Sequence, residues 1–264
     1  MTELLYDVLE SELAAPSNEH FQLHNHIEYE LYMFLEGDST YVVEGKNYSL
    51  SPGDMIVILR HEMHRVFHNS PKRYRRIVFS ISPEFFSKNH CEEYEKIFCS
   101  NYFNVGNKIN ASTVHSSGLY GAVMRLKKYS AGFSLLDSPI AVSIMTEILY
   151  LINRISSFEA AENINIPVRN IIDYINNNFT NEIFLEELCS RFYISKYHLC
   201  RIFKAATGLT VQGYIRQKRL TLADELIKAG KNLTDAALLS GFSSYSSFYR
   251  AYINAYNKNP RKGK

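Results

Sequence analysis

Short alternating segments occupy the first part of the chain. Between Phe21 and Phe79, β-branched and aromatic residues alternate with polar ones in segments such as STYVVEG, KNYSLSPG and RRIVFSI. Turn-forming clusters separate the segments at Glu36-Gly37-Asp38, Glu44-Gly45-Lys46-Asn47 and Ser51-Pro52-Gly53-Asp54. Closely spaced short strands with turns between them are typical of an all-β barrel or sandwich.

Helical spacing follows the alternating region. Ser82-Pro83-Glu84 has the residues of a helix start, and we predict longer helices at about 114–130 and 139–157. Isoleucine and leucine recur in the last of these at helical intervals, at Ile140, Ile144, Ile148, Leu151 and Ile155. This stripe predicts packing against the β domain or a subunit interface, and the two are compatible. We then predict a linker at 159–165 and a helix from Pro167 to about Asn178.

An internal repeat fills the last third of the chain. Residues 185–203 read LEELCSRFYISKYHLCRIF, and residues 233–252 read LTDAALLSGFSSYSSFYRAY. Each copy predicts a short helix, a turn and a second helix. Gly241 suits a left-handed turn, while Ser195 and Ser243 or Ser244 suit the N-caps of the second helices.

The second helix of each copy has an apolar and a polar face. The predicted inward positions are Leu199, Ile202, Phe203 and Ala206 in the first copy, and Phe248, Ala251, Tyr252 and Ala255 in the second. The predicted outward positions are Tyr197, Cys200, Arg201 and Lys204, and Ser246, Tyr249, Arg250 and Ile253. An arginine has the same place in both copies. A helix with an apolar back and a polar front is typical of DNA recognition in the major groove, where arginine commonly binds guanine.

A single helix is predicted between the two copies, from Val211 to Ala229. Nineteen residues at ~1.5 Å rise give a rod of about 28 Å. A rigid spacer of that length can present two recognition helices about one DNA turn, roughly 34 Å, apart.

Residues 168–261 resemble the DNA-binding domain of the AraC family of bacterial transcription regulators. The matching segments are L-E-E-L-C, S-K-Y-H-L-C-R-I-F-K, T-G-L-T, R-x-x-x-A-x-x-L (219–226), G-F-S-S-Y-S-S-F and N-x-N-P-R (257–261). The chain departs from the family at Tyr252-Ile253, where Phe-Lys is favoured, and at Asn257, where glycine is usual. The resemblance implies a transcription regulator that binds double-stranded DNA, acts as a homodimer and, if it is an activator, contacts RNA polymerase.

The predicted DNA contacts follow from the repeat and the resemblance together. We expect Arg201 and Arg250 to bind bases. The predicted residues beside them are Tyr197, Cys200, Tyr245, Ser246, Ser247 and Tyr249. The predicted phosphate contacts are Lys196, Lys204 and Arg216, with Lys218 and Arg219 as further candidates.

Residues 21–67 resemble the cupin barrel of the family's sensor domains. The stretch HNHIEYE (24–30), followed by Gly37, fits the first cupin motif, and on an extended strand His24, His26 and Glu30 would share one face. We predict a ligand site formed by His24, His26, Glu30, Tyr32 and His64. The resemblance implies that its ligand is a sugar or related metabolite. Two other interpretations stay open: His24, His26, Glu30 and His64 hold a metal, or these residues are structural.

The predicted fold class is therefore α+β, with a cupin-like β-barrel, dimerisation helices and an all-α domain of two helix-turn-helix motifs joined by a long helix. The predicted domains are a sensor with an N-terminal arm at 1–110, a helical dimerisation region at 111–160 and a DNA-binding domain at 165–264. The two motifs are expected at about 185–206 and 233–255.

Charge and composition agree with this interpretation. The net charge of +2 divides into −6 for residues 1–164 and +8 for residues 165–264, which indicates a polyanion-binding module at the C-terminal end. The four cysteines lack a disulfide framework, the first residues are acidic, and apolar stretches are short, so we expect a cytoplasmic protein without membrane association. We expect no enzymatic activity and no cofactor. The alternatives are a metal-dependent cupin enzyme fused to a DNA-binding domain and a ligand-independent DNA-binding regulator.

Overall fold

The chain forms two compact units in a computed structural model. The structure describes residues 5–98, 106–130, 138–155, 166–256 and 259–260. The N-terminal unit comprises residues 1–22 and 28–163, and the C-terminal unit comprises residues 23–27 and 164–264. A β-sheet domain followed by a helical domain confirms the predicted α+β class.

Two antiparallel sheets form the core of the N-terminal unit. The strands in the described residues are β1 (Tyr6–Leu13), β2 (Tyr29–Glu36), β3 (Ser39–Val43), β4 (Lys46–Ser49), β5 (Met55–Ile58), β6 (His64–His68), β7 (Tyr74–Ile81) and β8 (Lys108–Ile109). Their order is β1-β7-β2-β5-β8 in the larger sheet and β4-β3-β6 in the smaller. The turn predicted at Glu44-Gly45 is confirmed, since both residues have positive φ and join Val43 to its partner Lys46 in a two-residue hairpin.

Both faces of the larger sheet are buried at its central strand β2. On β2, Leu31 and Met33 join an apolar core that includes the helices of this unit. Tyr32 and Phe34, which alternate with them, join a second core that contains residues of both sheets. Burial on both faces explains why β2 has an almost continuous apolar sequence.

Six helical segments accompany the sheets in the described part of this unit: two 3₁₀ segments (Asn18–His20 and Glu92–Phe98), α1 (Glu84–Lys88), α2 (Ala111–Ser116), α3 (Leu119–Ser130) and α4 (Pro139–Arg154). The single helix predicted at 114–130 is wrong. The chain interrupts it at Gly118, whose φ of 84° is outside the helical region.

The apolar stripe of α4 packs mainly into its own unit. Ile144 and Ile148 are buried, whereas Ile140 is 54% exposed. The interpretation of this stripe as a subunit interface stays a prediction. The linker predicted at 159–165 lies outside the described residues.

Six helices form the C-terminal unit within its described residues: α5 (Ile166–Asn178), α6 (Leu185–Phe192), α7 (Lys196–Thr207), α8 (Val211–Lys228), α9 (Leu233–Leu239) and α10 (Tyr245–Tyr256). The predicted helix at 167–178 and the predicted connecting helix match α5 and α8. The two copies of the repeat form the pairs α6–α7 and α9–α10, as the sequence predicts.

The recognition helices bury most of the predicted inward positions. Leu199 and Phe203 of α7 are fully buried, as is Phe248 of α10, and Tyr252 is 4% exposed. Ala255 is exposed, so its predicted inward position is wrong. It lies in the last turn of α10, beyond the part of the helix that the core covers.

The two copies use different residues at the same turn. Tyr193 ends α6 in the left-handed conformation, with φ of 53°, and Gly241 has φ of 93° at the position 48 residues later. A Cβ atom on Gly241 would lie 2.6 Å from the carbonyl oxygen of Thr180. Tyr193 is 96% exposed, so its side chain adds no packing that would offset the cost of this conformation.

Substitutions at these two turn positions should have opposite effects on stability. Tyr193→Gly should raise the free energy of unfolding by about 1 kcal/mol, because glycine adopts a left-handed conformation without steric cost. Gly241→Ala should lower it by more than about 1 kcal/mol, because strain and the contact with Thr180 add together. Urea unfolding of the full chain checks both, and a shift in the same direction for the two variants would contradict the account.

Candidate functional site

The outward face of α7 is open to solvent. Tyr197 is 79% exposed, and Cys200, Arg201 and Lys204 are exposed as predicted. The Ser195 hydroxyl caps the helix by accepting a hydrogen bond from the backbone N–H of His198. A capped helix with its apolar side in the core holds this polar face in a fixed orientation.

Two charged residues of this face have partners within the protein. Nη2 of Arg201 lies 3.2 Å from Nδ1 of His198. The Lys196 ammonium donates to the Glu186 carboxylate of α6 at 2.9 Å, and this hydrogen bond and the opposite charges raise the pKa of Lys196 and lower that of Glu186. A phosphate that binds Lys196 therefore has to compete with Glu186, although an exposed ion pair is weak.

The face of α10 is similar but less exposed. Ser246 and Arg250 are exposed, and Nε of Arg250 donates to the Ser246 carbonyl oxygen at 3.3 Å. Tyr245, Ser247 and Tyr249 are half-buried. Arginines thus occupy equivalent exposed positions of the two recognition helices, which is the feature that the repeat predicts.

Of the basic residues predicted on α8, Arg216 alone is exposed. Lys218 is 4% exposed, with its ammonium 5.6 Å from the Tyr214 ring centroid. Arg219 donates to the carbonyl oxygens of Phe179 and Asn181, both at 2.7 Å. The prediction that Lys218 binds phosphate is therefore wrong, because its side chain is buried. Arg219 is half-buried, and its phosphate contact stays a prediction.

Tyr252 has a structural contact that sequence reasoning missed. Its hydroxyl donates to Oδ1 of Asp224 on α8 at 3.1 Å. Burial, together with the Asp224 carboxylate, raises the pKa of Tyr252 well above its usual value, so the hydroxyl remains a donor. The departure from the family's Phe at this position therefore joins the second recognition helix to the connecting helix.

The stretch HNHIEYE is not one extended strand. The strand β2 begins at Tyr29, and residues 23–27 belong to the C-terminal unit, where buried Asn25 accepts a hydrogen bond from the Thr221 hydroxyl at 2.8 Å. The prediction that His24, His26 and Glu30 share one strand face is therefore wrong, because the chain bends at 27–28.

The predicted ligand residues are divided between the two units. His24 and His26 lie in the C-terminal unit, with ring centroids 6.0 Å apart. Glu30, Tyr32 and His64 lie in the N-terminal unit. The ligand and metal sets that combine these residues stay predictions.

Polar and aromatic side chains meet between the two sheets of the N-terminal unit. We call this group the interior cluster, and its members are Phe21, Glu30, Tyr32, Ser39, Tyr41, His64, His68, Tyr74 and Arg76. They come from β2, β3, β6, β7 and the segment before β2. The alternation of side chains on each strand places them on inward faces.

A carboxylate and an imidazole form the acidic end of the interior cluster. Glu30 is 6% exposed and accepts a hydrogen bond from the Tyr41 hydroxyl at 3.0 Å. Nε2 of His64 lies 3.6 Å from the Glu30 carboxylate, and Nδ1 lies 2.8 Å from the Glu62 carbonyl oxygen. Because a carbonyl only accepts, Nδ1 carries a proton, and Nε2 is the nitrogen that meets the carboxylate.

Three tyrosines connect this end to the opposite one. The Tyr32 and Tyr74 hydroxyls are 2.9 Å apart, and the Tyr32 and Tyr41 ring centroids are 4.5 Å apart. Burial is the main cause that raises the pKa of all three. The phenols therefore remain neutral hydrogen-bonding groups with apolar ring faces.

Arg76 and His68 form the basic end. The Arg76 guanidinium lies 5.4 Å from the Phe21 ring centroid and 5.8 Å from that of Tyr74, and its Nη1 lies 3.4 Å from the Tyr74 hydroxyl. The His68 ring contacts the same two rings at 4.6 and 4.4 Å, and its Nδ1 lies 3.0 Å from the Ser39 hydroxyl. Burial, and then the charge of Arg76, lowers the pKa of His68 to about 4.

Sequence reasoning missed most of the basic end, although its signal is present. Within the basic run 72–76, Arg73 and Arg75 lie at a solvated edge, since both form ion pairs with carboxylates of β1 and β2. Arg76 does not lie at that edge. Arg76 follows Tyr74 by two residues on β7, so its side chain lies on the same inward face as that of Tyr74.

Comparison with known proteins identifies the family. Residues 10–94 match the AraC-like ligand binding domain, and residues 188–263 match a helix-turn-helix domain. The chain belongs to the AraC family of transcription regulators. The HTH-type transcriptional activator RhaS of Escherichia fergusonii is 22% identical over 243 residues, which cover 92% of this chain and 87% of that protein. RhaS of Salmonella schwarzengrund is 24% identical over 246 residues, which cover 91% and 86%.

The solved structures that resemble this AraC-family chain include ToxT. Apo ToxT K231A from Vibrio cholerae strain SCE256 is 14% identical, with a TM-score of 0.45 and coverage of 98% of this chain and 97% of that one. At that score the likeness supports no further conclusion.

The family domains contain both candidate regions. The ligand-binding match spans every residue of the interior cluster, and the helix-turn-helix match spans Arg201 and Arg250. This AraC-family protein is thus a DNA-binding regulator with an N-terminal ligand-binding domain. In the described part of the chain, no helix has the length and hydrophobicity that crossing a bilayer requires.

The buried imidazole of His68 should make stability depend on pH. Its pKa of about 4 in the folded state lies below the ordinary value of 6.5, so the unfolded state binds more protons between these values. The contribution of His68 to the free energy of unfolding should be complete above pH 6.5. It should fall by about 3 kcal/mol as the pH is lowered to 4.

Urea unfolding of the native chain and His68→Gln at several pH values from 7 to 4 checks this prediction. The glutamine variant lacks the titrating group and should therefore lose less stability than the native chain over this range. Parallel losses in the two proteins would show that His68 does not titrate as the structure indicates.

Proposed function

We propose that this AraC-family protein is an effector-responsive regulator whose binding to specific DNA sites is changed by a sugar or related metabolite. The interior cluster is the observation that carries this proposal. A carboxylate, a guanidinium, an imidazole and phenols supply hydrogen bonds for hydroxyl groups, and aromatic rings pack against carbon–hydrogen faces. Such a set suits a polyhydroxylated ligand better than a purely apolar one.

The paired recognition helices support specific DNA binding. Arg201 and Arg250 are exposed at equivalent positions, and the 18 residues of α8 form a connecting rod of about 27 Å. That length is close to the spacing of roughly 34 Å between successive major grooves on one side of a duplex. Each arginine can donate two parallel hydrogen bonds to guanine.

The proposed regulation requires one thermodynamic property. The effector must bind the DNA-competent and DNA-incompetent states with different affinities, since equal affinities shift no equilibrium. We propose that the protein acts as a homodimer. The similarity to the RhaS relatives, which are named transcriptional activators, favours activation of transcription and would make RNA polymerase a partner.

Genomic footprinting with the full chain tests the proposal. Purified protein would be incubated with genomic DNA of its source, alone and with each member of a panel of pentoses, hexoses and their acids. We expect a small set of sites whose occupancy changes with one compound, and the same compound should raise the melting temperature. Sites whose occupancy no compound changes would overturn regulation by an effector of this class, and an absence of preferred sites would overturn specific DNA binding.

The arginine of the first recognition helix should discriminate between DNA sequences. Arg201→Ala should weaken binding to a footprinted site by about 1–3 kcal/mol and have a much smaller effect on scrambled DNA, because base contacts exist only at the specific site. Lys204→Ala, on the same face of α7, is the matched control and should weaken both complexes similarly through a lost phosphate contact. Titrations of labelled duplexes measure both, and an equal loss on the two duplexes for Arg201→Ala would assign Arg201 to phosphate.

A further inference from the structure

The Arg76 guanidinium is a positive charge in the interior cluster. A neutral sugar bound there would leave this charge without a counter-ion. Among the described residues, its contacts are the Tyr74 hydroxyl and the rings of Phe21 and Tyr74, and none is a carboxylate. Its Nε is buried and has no hydrogen-bond partner within the same residues. Arg76 is half-buried, and holding its guanidinium partly out of water without an anion costs solvation free energy that an anionic partner would offset.

The other arginines of β7 show that carboxylates are available nearby. Arg73 binds Glu12 at 2.6 Å, and Arg75 binds Glu10 at 3.1 Å. Both pairs lie toward β1, whereas Arg76 faces the second core. The carboxylate of the interior cluster belongs to Glu30, which accepts a hydrogen bond from Tyr41 and lies close to His64. These residues form the end of the cluster opposite Arg76.

His68 adds a second polar atom beside Arg76. Its Nε2 is buried and has no hydrogen-bond partner among the described residues, and the residue is 6% exposed. The ring contacts Phe21 and Tyr74, the same two rings that the Arg76 guanidinium contacts. Two unpartnered nitrogens therefore lie in one aromatic-walled region, where a ligand that supplies oxygen atoms would satisfy both.

We propose that the effector is a sugar acid, or a similarly small hydroxylated carboxylate, whose carboxylate binds Arg76 beside His68. The planar guanidinium matches a carboxylate through two parallel hydrogen bonds. The rings of Phe21 and Tyr74 pack against the carbon skeleton, and the end that contains Glu30 and Tyr41 binds hydroxyl groups. This inference rests on the proposed function and narrows its ligand class.

Charge balance favours a carboxylate over a phosphate ester. The interior cluster contains one arginine together with the carboxylate of Glu30, which repels added negative charge. A monoanion neutralises Arg76, while a dianion would bring a second negative charge into a poorly solvated region. The ligand should therefore carry one carboxylate and several hydroxyl groups.

Matched pairs of compounds test the proposal with the full-length protein. Thermal shift and calorimetry would compare galacturonate with galactose, glucuronate with glucose, gluconate with glucitol, and glucose 6-phosphate with all of them, at constant sodium concentration. We expect at least one acid to bind while its neutral counterpart and the phosphate ester bind at least about tenfold more weakly, since charge-assisted hydrogen bonds contribute that much.

Substitutions on β7 test whether the carboxylate of the acid binds at Arg76. Arg76→Gln should weaken the acid's binding about 10- to 100-fold, and Arg73→Gln, which is on the same strand but outside the interior cluster, should leave it unchanged. Arg76→Lys retains the charge without the planar fork, so it should lose less and gives a second measurement if Arg76→Gln does not fold. Unchanged acid affinity in the Arg76 variants, tighter binding of neutral sugars or of the phosphate, or no binding by any acid would each overturn the proposal.

The outcome separates this inference from the proposed function. If a neutral sugar binds and changes occupancy of the footprinted DNA sites, the anionic class is wrong and regulation by an effector stands. If an acid binds through Arg76 but leaves DNA occupancy unchanged, the anionic site stands and its regulatory role is wrong.

Discussion

The alternation of side chains across β2 and β7 is the constraint on which the N-terminal unit depends. It sends Leu31, Met33 and Ile77 into the core shared with the helices, and Tyr32, Phe34 and Tyr74 into the core between the sheets. A shift of one residue in the pairing would exchange the two sets and place Arg76 in the apolar helical core. Register therefore determines both stability and the position of the polar chemistry.

Local patterns were sufficient to predict the C-terminal unit. Helix periodicity, the cap at Ser195 and the repeat itself depend on residues close together in the sequence, so the helices α5 to α10 follow from them. Contacts between distant residues were beyond these patterns. The hydrogen bond from Tyr252 to Asp224, the burial of Lys218 and the hydrogen bonds of Arg219 to backbone carbonyl oxygens require the packing of α8 against its neighbours.

The interior cluster shows the same limit more strongly. Its residues are distributed from Phe21 to Arg76, and no local motif links them. The apparent motif HNHIEYE was misleading, because strand alternation was assumed for residues that precede β2. Burial of Asn25 against Thr221 and the bend at 27–28 are tertiary properties, and neither changes the hydrophobic pattern that sequence reasoning uses.

The Tyr252 hydroxyl makes the two halves of the DNA-binding unit mechanically unequal. In the second half it fastens α10 to Asp224 of α8, whereas Phe203, its counterpart in α7, meets Tyr214 of α8 only through ring packing. Ring contacts permit small rotations that a directional hydrogen bond resists. In the proposed complex with DNA, α10 should therefore keep a stricter orientation relative to α8 than α7 does, and differences in groove spacing should be accommodated chiefly at α7.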